Sequence, residues 1–129
     1  MGKFKTGEKM KYTESHEWVM VVGKIATVGI TEYAQKELGE VVYVELPKIG
    51  SKVKAGDESV VLESTKAAVD IYTPVSGTIT AINTELKTHP EYVNHASEGS
   101  GWLFQIELTN PSELTSLMDK SAYQSYISQ

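Results

Sequence analysis

The chain has 129 residues, 40% of them hydrophobic and 22% charged, with a net charge of −5. That balance fits one soluble globular domain with a real core and excludes a disordered chain, and no apolar run approaches the roughly 20 residues of a membrane span. All 12 basic residues are lysine and cysteine is absent, which argues against a nucleic-acid partner and excludes disulfides, thiolate metal sites and cysteine nucleophiles.

Residues 1–11 read as a flexible lysine-rich tail ahead of a single domain over 12–129. Met1-Gly2-Lys3-Phe4-Lys5-Thr6 formally matches the N-myristoylation pattern. The pattern is permissive and one acyl chain anchors only marginally, so a solvated tail is the expectation. The start has neither the apolar stretch of a secretory signal nor the arginine of a transit peptide, so the expected compartment is a cytoplasm.

Trp18 to Val22 and Ile25 to Ile30 are rich in valine and isoleucine and flank Gly23, which predicts a hairpin. Thr31 is placed to cap a short helix with Glu32 in its first turn, ending at Leu38 and Gly39. Val41 to Leu46 reads as a strand closed by Pro47. A turn-rich step over Gly50 to Asp57 follows, then strands over Ser59 to Glu63 and Val69 to Thr73. Pro74-Val75-Ser76-Gly77 is a second step, leading into a strand over Thr78 to Ile82. Such short strands at close spacing signal a small sandwich or barrel, and the two glycine-marked steps hint at two similar halves. Asn83 to Gly101 is polar and long for a loop, so short helical turns are expected within it. Trp102 to Leu108 is the last strand. Asn110-Pro111-Ser112-Glu113 then carries the signals of a helix start, with Leu114, Leu117 and Met118 on one face, and Ala122 to Ile127 extends the helical end.

Intrinsic chemistry is thinly provided. Ser15-His16-Glu17 contains the residue types of a hydrolytic triad, but consecutive strand residues alternate faces and cannot converge. The expected role of His16 is local packing or hydrogen bonding at a strand edge. His16, His89 and His95 show no metal-ligand spacing, so no metal site is expected, and His89 and His95 fall on the polar loop. No phosphate loop or dinucleotide fingerprint occurs. One segment stands out: Lys66, within Glu63-Ser64-Thr65-Lys66-Ala67-Ala68, lies midway between two apolar strands with small neighbours. That places its amine at a hairpin tip, open to another enzyme, although the tip lacks the Asn-Gly of a favoured turn. By composition alone Lys66 is one solvated lysine among 12.

At this segment the sequence resembles the glycine cleavage H-protein family. Glu63 to Ala68, Asp70 and Pro74-Val75-Ser76-Gly77 resemble the family's lipoylation hairpin. Tyr12 with Ser15-His16-Glu17-Trp18-Val19 resembles its N-terminal signature. Val28 to Thr31, Tyr33-Ala34-Gln35, Leu38 to Val41, Val44 to Pro47 with Gly50, and Gly101-Trp102-Leu103 continue the likeness from about Tyr12 to about Ile127. Two departures stand out. Thr65 replaces the usual valine before the lysine, a nearly isosteric β-branched exchange, and residues 95–100 lack the family's proline and tyrosine. Biotin carriers, with methionine on both sides of the lysine, and the shorter dehydrogenase lipoyl domains, with aspartate before it, fit less well.

The resemblance implies a mainly β fold with flanking helices, a biotinyl/lipoyl-type barrel-sandwich hybrid. It implies lipoate covalently attached to Lys66, which would supply disulfide chemistry to a chain without cysteine. The implied protein is a non-catalytic shuttle with no active site of its own. It would carry an aminomethyl group from glycine decarboxylase to an aminomethyltransferase, and the dithiol to dihydrolipoamide dehydrogenase, after modification by a lipoate or octanoate ligase or transferase. By position, Ser15, Glu17 and Asp70 correspond to residues lining the cleft that receives the loaded arm, and carboxylates suit its ammonium. The expected protein is a cytoplasmic monomer, bacterial or else in its mature mitochondrial form, with neither nucleic acid nor membrane as partner. The alternative role is a lipoyl or octanoyl relay to 2-oxoacid dehydrogenases. A hydrolase and an unmodified interaction domain are the readings from other classes.

Overall fold

The computed structural model describes residues 10–129; the myristoylation-like start and most of the expected tail lie outside them. Strands β1 (Met10–Tyr12), β2 (Glu17–Val22) and β3 (Ile25–Ile30) form an antiparallel meander, with the expected hairpin at β2 and β3. Met10 and Lys11 belong to β1 rather than to the tail. Met10 is buried opposite Met20, so its apolar side chain draws the chain onto the sheet.

Helix α1 (Glu32–Leu38) is built as its sequence predicts: Thr31 Oγ1 accepts the Ala34 N–H at 3.2 Å. There follow β4 (Val41–Glu45), β5 (Lys52–Val53), β6 (Glu58–Ser64), β7 (Ala68–Tyr72), β8 (Gly77–Ile82), a 3-10 turn (Thr84–Lys87) and α2 (Tyr92–His95). The chain ends with β9 (Phe104–Leu108), a second 3-10 turn (Pro111–Ser116) and α3 (Lys120–Ile127).

The strands form two antiparallel sheets, one of six strands in the order β1-β2-β3-β9-β8-β5 and one of three in the order β4-β6-β7. Inward side chains of both sheets share one core: Val19, Val28, Phe104 and Ile79 from the larger, Val44, Leu62 and Ile71 from the smaller. Each such side chain contributes roughly 1.5–3 kcal/mol by leaving water. The two glycine-marked steps meet: Lys52 pairs with Thr78 within the larger sheet, Gly56 N–H reaches Thr73 O at 2.8 Å and Ala55 N–H reaches Ser76 Oγ at 2.9 Å.

The reverse face of β1 and β2 carries a second cluster, Met10, Tyr12, Trp18, Met20 and Tyr123, roofed by α3. Gly29 permits it. A Cβ at Gly29 would lie 2.7 Å from the ring of Trp18, which is wholly buried and donates its Nε1–H to Ser97 O at 2.9 Å.

The polar 83–101 segment folds down by anchoring apolar pegs. Leu86 and Val93 are buried, and Asn83 Nδ2 donates to the Ser100 and Trp102 carbonyls. The helix expected from Asn110 is instead a 3-10 turn, because its capping groups are engaged elsewhere. Asn110 Oδ1 accepts from the Ser112 hydroxyl at 2.6 Å, and Glu113 accepts from Ser76 N–H and Ser76 Oγ, both at 2.7 Å. Leu114 and Leu117 pack on the main core and Met118 on the second, so they do not share one face. The true C-terminal helix starts at Asp119, whose Oδ1 accepts the Ala122 N–H at 2.8 Å.

Candidate functional site

Lys66 is exposed at the tip joining β6 to β7. Among the described non-glycine residues only His16 has a positive φ, so the tip is not the primed turn that Asn-Gly would form. Ser64 closes it instead. Its N–H donates to Ala67 O at 2.8 Å, while its hydroxyl oxygen accepts the Lys66 N–H at 3.0 Å and the Ala67 N–H at 3.1 Å. Thr65 N–H donates to Glu40 O at 3.0 Å, tying the tip to the start of β4. Thr65 itself is exposed, and the Ser64-closed turn is intact with threonine at this position.

The lysine stem passes over the end of α1. Gly39 sits at φ 86° and ψ −168°, a region that essentially only glycine occupies, and a Cβ there would lie 3.0 Å from Lys66 Cε. Beside the stem opens a cleft of about 420 Å³, between α1 on one side and β7 on the other. Ile30, Ala34, Leu38, Val69 and Ile71 make it apolar, and Ser15, His16, Glu37 and Asp70 make its polar rim.

The structure separates the three residues that the sequence groups as cleft lining. Ser15 and Asp70 line it. Glu17 does not: it is 2% exposed and lies beneath, with Oε1 accepting from Thr13 Oγ1 at 2.6 Å and Ser15 Oγ at 2.7 Å. Its Oε2 accepts the Tyr72 N–H at 3.4 Å. Since β7 is an edge strand, Glu17 thereby satisfies an edge amide while pinning Ser15.

Ser15 and Glu17 therefore do converge, contrary to the alternation argument, because the chain from Thr13 to His16 is a turn that leads into β2 at Glu17. Thr13 N–H donates to Glu17 O at 3.0 Å, His16 N–H donates to Thr13 O at 3.1 Å, and His16 takes φ 75°. The same turn throws the imidazole away from both partners, which excludes the triad geometry. His16 bonds far along the chain: Nδ1 lies 2.8 Å from Tyr123 Oη, and the ring packs against Tyr33, Tyr123 and Tyr126. Burial pulls its pKa below the usual histidine value, against smaller opposing effects of Glu17 and Glu37.

Glu37, Tyr33 and His16 are lining residues that the sequence reading did not select. The spacing of Tyr33 and Glu37 on the predicted helix puts both on one face, a signal that was available. His89 and His95 are exposed on the 83–101 segment as expected.

A model of the glycine cleavage H-protein family matches residues 10–129. A glycine cleavage system H protein of Thermotoga maritima is 50% identical over 119 residues, 92% of this chain and 96% of that one. One from Methylacidiphilum infernorum is 53% identical over 113 residues, 88% of each chain. The chain belongs to the glycine cleavage H-protein family. The crystal structure of a glycine cleavage system H protein from Mycobacterium marinum superposes with a TM-score of 0.85 at 31% identity, covering 94% of this chain and 98% of that chain. The fold is thus the lipoyl-type barrel-sandwich with flanking helices. The function is that of the family, a lipoyl-bearing shuttle of the glycine cleavage system, and the relay alternative is not favoured.

Proposed function

We propose that Lys66 is the lipoyl attachment point and that the cleft beside it shelters the arm. The observation that carries this is the exposed lysine on a Ser64-closed tip, its stem lying where a Cβ at Gly39 would intrude. An amide at Lys66 Nζ would remove the charge and add an apolar chain, which the Ile30, Leu38 and Val69 surfaces suit. The bound group would supply reversible dithiol chemistry. Asp70 and Glu37 favour an ammonium cargo electrostatically, and Ser15, fixed by Glu17, offers a hydroxyl at the rim.

In this reading the chain is a non-catalytic component that presents its arm to glycine decarboxylase, the aminomethyltransferase and dihydrolipoamide dehydrogenase. A lipoate or octanoate ligase or transferase installs the group. The bacterial relatives support a cytoplasmic setting. The test is intact-mass analysis after coexpression with a lipoate ligase. A single lipoyl increment, mapped to Lys66 and lost in Lys66→Arg, is expected; an increment that persists in that folded variant refutes the assignment.

A further inference from the structure

The rim histidine is held by a chain of hydroxyls whose proton order can be worked out. Thr31 Oγ1 already accepts the Ala34 N–H, so its own hydrogen is free to go to Tyr123 Oη, 2.7 Å away. That leaves the Tyr123 hydrogen for His16 Nδ1, at 2.8 Å. In this order every hydroxyl hydrogen has an acceptor. The reverse order would send the Tyr123 hydrogen to Thr31 and leave the threonine hydrogen without an acceptor among the described residues. An imidazole that accepts at Nδ1 carries its proton at Nε2.

We propose that Thr31 and Tyr123 act as positioning residues that hold His16 in its Nε2–H tautomer, so that the ring offers the arm cleft a hydrogen-bond donor and neither a base nor a positive charge.

Burial supports the same arrangement from both ends. It lowers the His16 pKa, which favours the neutral ring, and raises that of the Tyr123 phenol against a smaller lowering by Thr31, which favours the protonated phenol. The titratable groups around the ring are Tyr33 and Glu37 from α1, Tyr123 and Tyr126 from α3, and Glu17 from its own turn; Lys66 and Asp70 line the same cleft.

The purpose rests on the carrier reading. An aminomethyl cargo is stable on sulfur while its nitrogen is protonated. Once the nitrogen gives up a proton, its electron pair can displace sulfur, and water takes the carbon. The products are formaldehyde, ammonia and the free thiol. An Nε2 lone pair facing the cleft would accept that proton; an Nε2–H does not. A protonated ring would instead repel the ammonium that Asp70 and Glu37 favour.

The first test uses the unmodified chain, labelled with nitrogen-15, and long-range proton–nitrogen correlation spectra of His16. The expected pattern at pH 8 is protonated Nε2 and bare Nδ1. Tyr123→Phe keeps the ring that stacks on Tyr12 at 4.6 Å. It should nonetheless give a mixed tautomer and a higher His16 titration midpoint, while Thr31→Ser, which keeps the hydroxyl, should match the parent. An Nδ1–H tautomer in the parent overturns the proposal.

The second test loads the lipoylated chain and follows formaldehyde release without the aminomethyltransferase. Release from Tyr123→Phe should be about threefold faster or more, the loss of one hydrogen bond, with a pH profile that tracks its His16 titration. Equal rates and profiles overturn the protective role. Failure of the parent to accept lipoate at all strikes the carrier reading, and the spectra then still decide the tautomer.

Discussion

Glu17 is the residue whose placement most changes what a mutation should do. As a cleft carboxylate its removal would weaken cargo binding and little else; as a buried anchor its removal should cost stability. Glu17→Ala deletes two short hydroxyl-to-carboxylate bonds, at 2.6 and 2.7 Å, and frees the Tyr72 amide. Hydrogen bonds to a charged group contribute roughly 1.5–3 kcal/mol each. Ser15 is exposed and Thr13 half-buried, so both hydroxyls recover water in the variant and the lower end applies, about 3 kcal/mol for the pair. With an unfolding entropy of about 2.1 cal/mol/K per residue, that lowers the melting temperature by roughly 11 °C. Asp70 is exposed and its carboxylate makes no hydrogen bond or ion pair among the described residues. Asp70→Asn should therefore stay within about 0.5 kcal/mol of the parent, or roughly 2 °C. Circular-dichroism melts of the unmodified proteins, at one pH and concentration, measure both. A Glu17→Ala melting point within 2–3 °C of Asp70→Asn would refute the anchoring role.

Gly39→Ala should destabilise by about 1–3 kcal/mol through its glycine-only backbone, read from the urea midpoint, and should shift Lys66 resonances because the new Cβ meets the stem. Gly29→Ala, whose Cβ would press on the Trp18 ring, should cost about 1–3 kcal/mol by overpacking and move the tryptophan emission as the Ser97 bond is disturbed. The lowered His16 pKa gives a signed pH effect: the unfolded chain binds the proton more readily, so stability is full above about pH 6.5 and falls as pH drops through the window below it. His16→Asn, which tolerates the positive φ, should flatten the difference in urea midpoint between pH 7.5 and 5.5; an unchanged difference would assign it to other groups.

Much of this protein is local and therefore readable along the chain. The β2–β3 hairpin, the Thr31-capped helix and the Lys66 tip are set by residues a few positions apart, through alternation, capping and breaker chemistry. The order of motifs carried the family. What the chain order could not decide is where side chains go when their best partners are distant. Glu113 looked like a capping-box acid, yet Ser76, 37 residues away, offers it two donors and the helix start collapses to a 3-10 turn. Ser15, His16 and Glu17 looked like a strand that could not converge. A left-handed residue at His16 folds Ser15 onto Glu17 and sends the imidazole to Tyr123, 107 residues on. Burial decided the same question for Glu17: a carboxylate leaves water only where enough donors replace it, and only the packed turn, with Thr13, Ser15 and the edge of β7, supplies them.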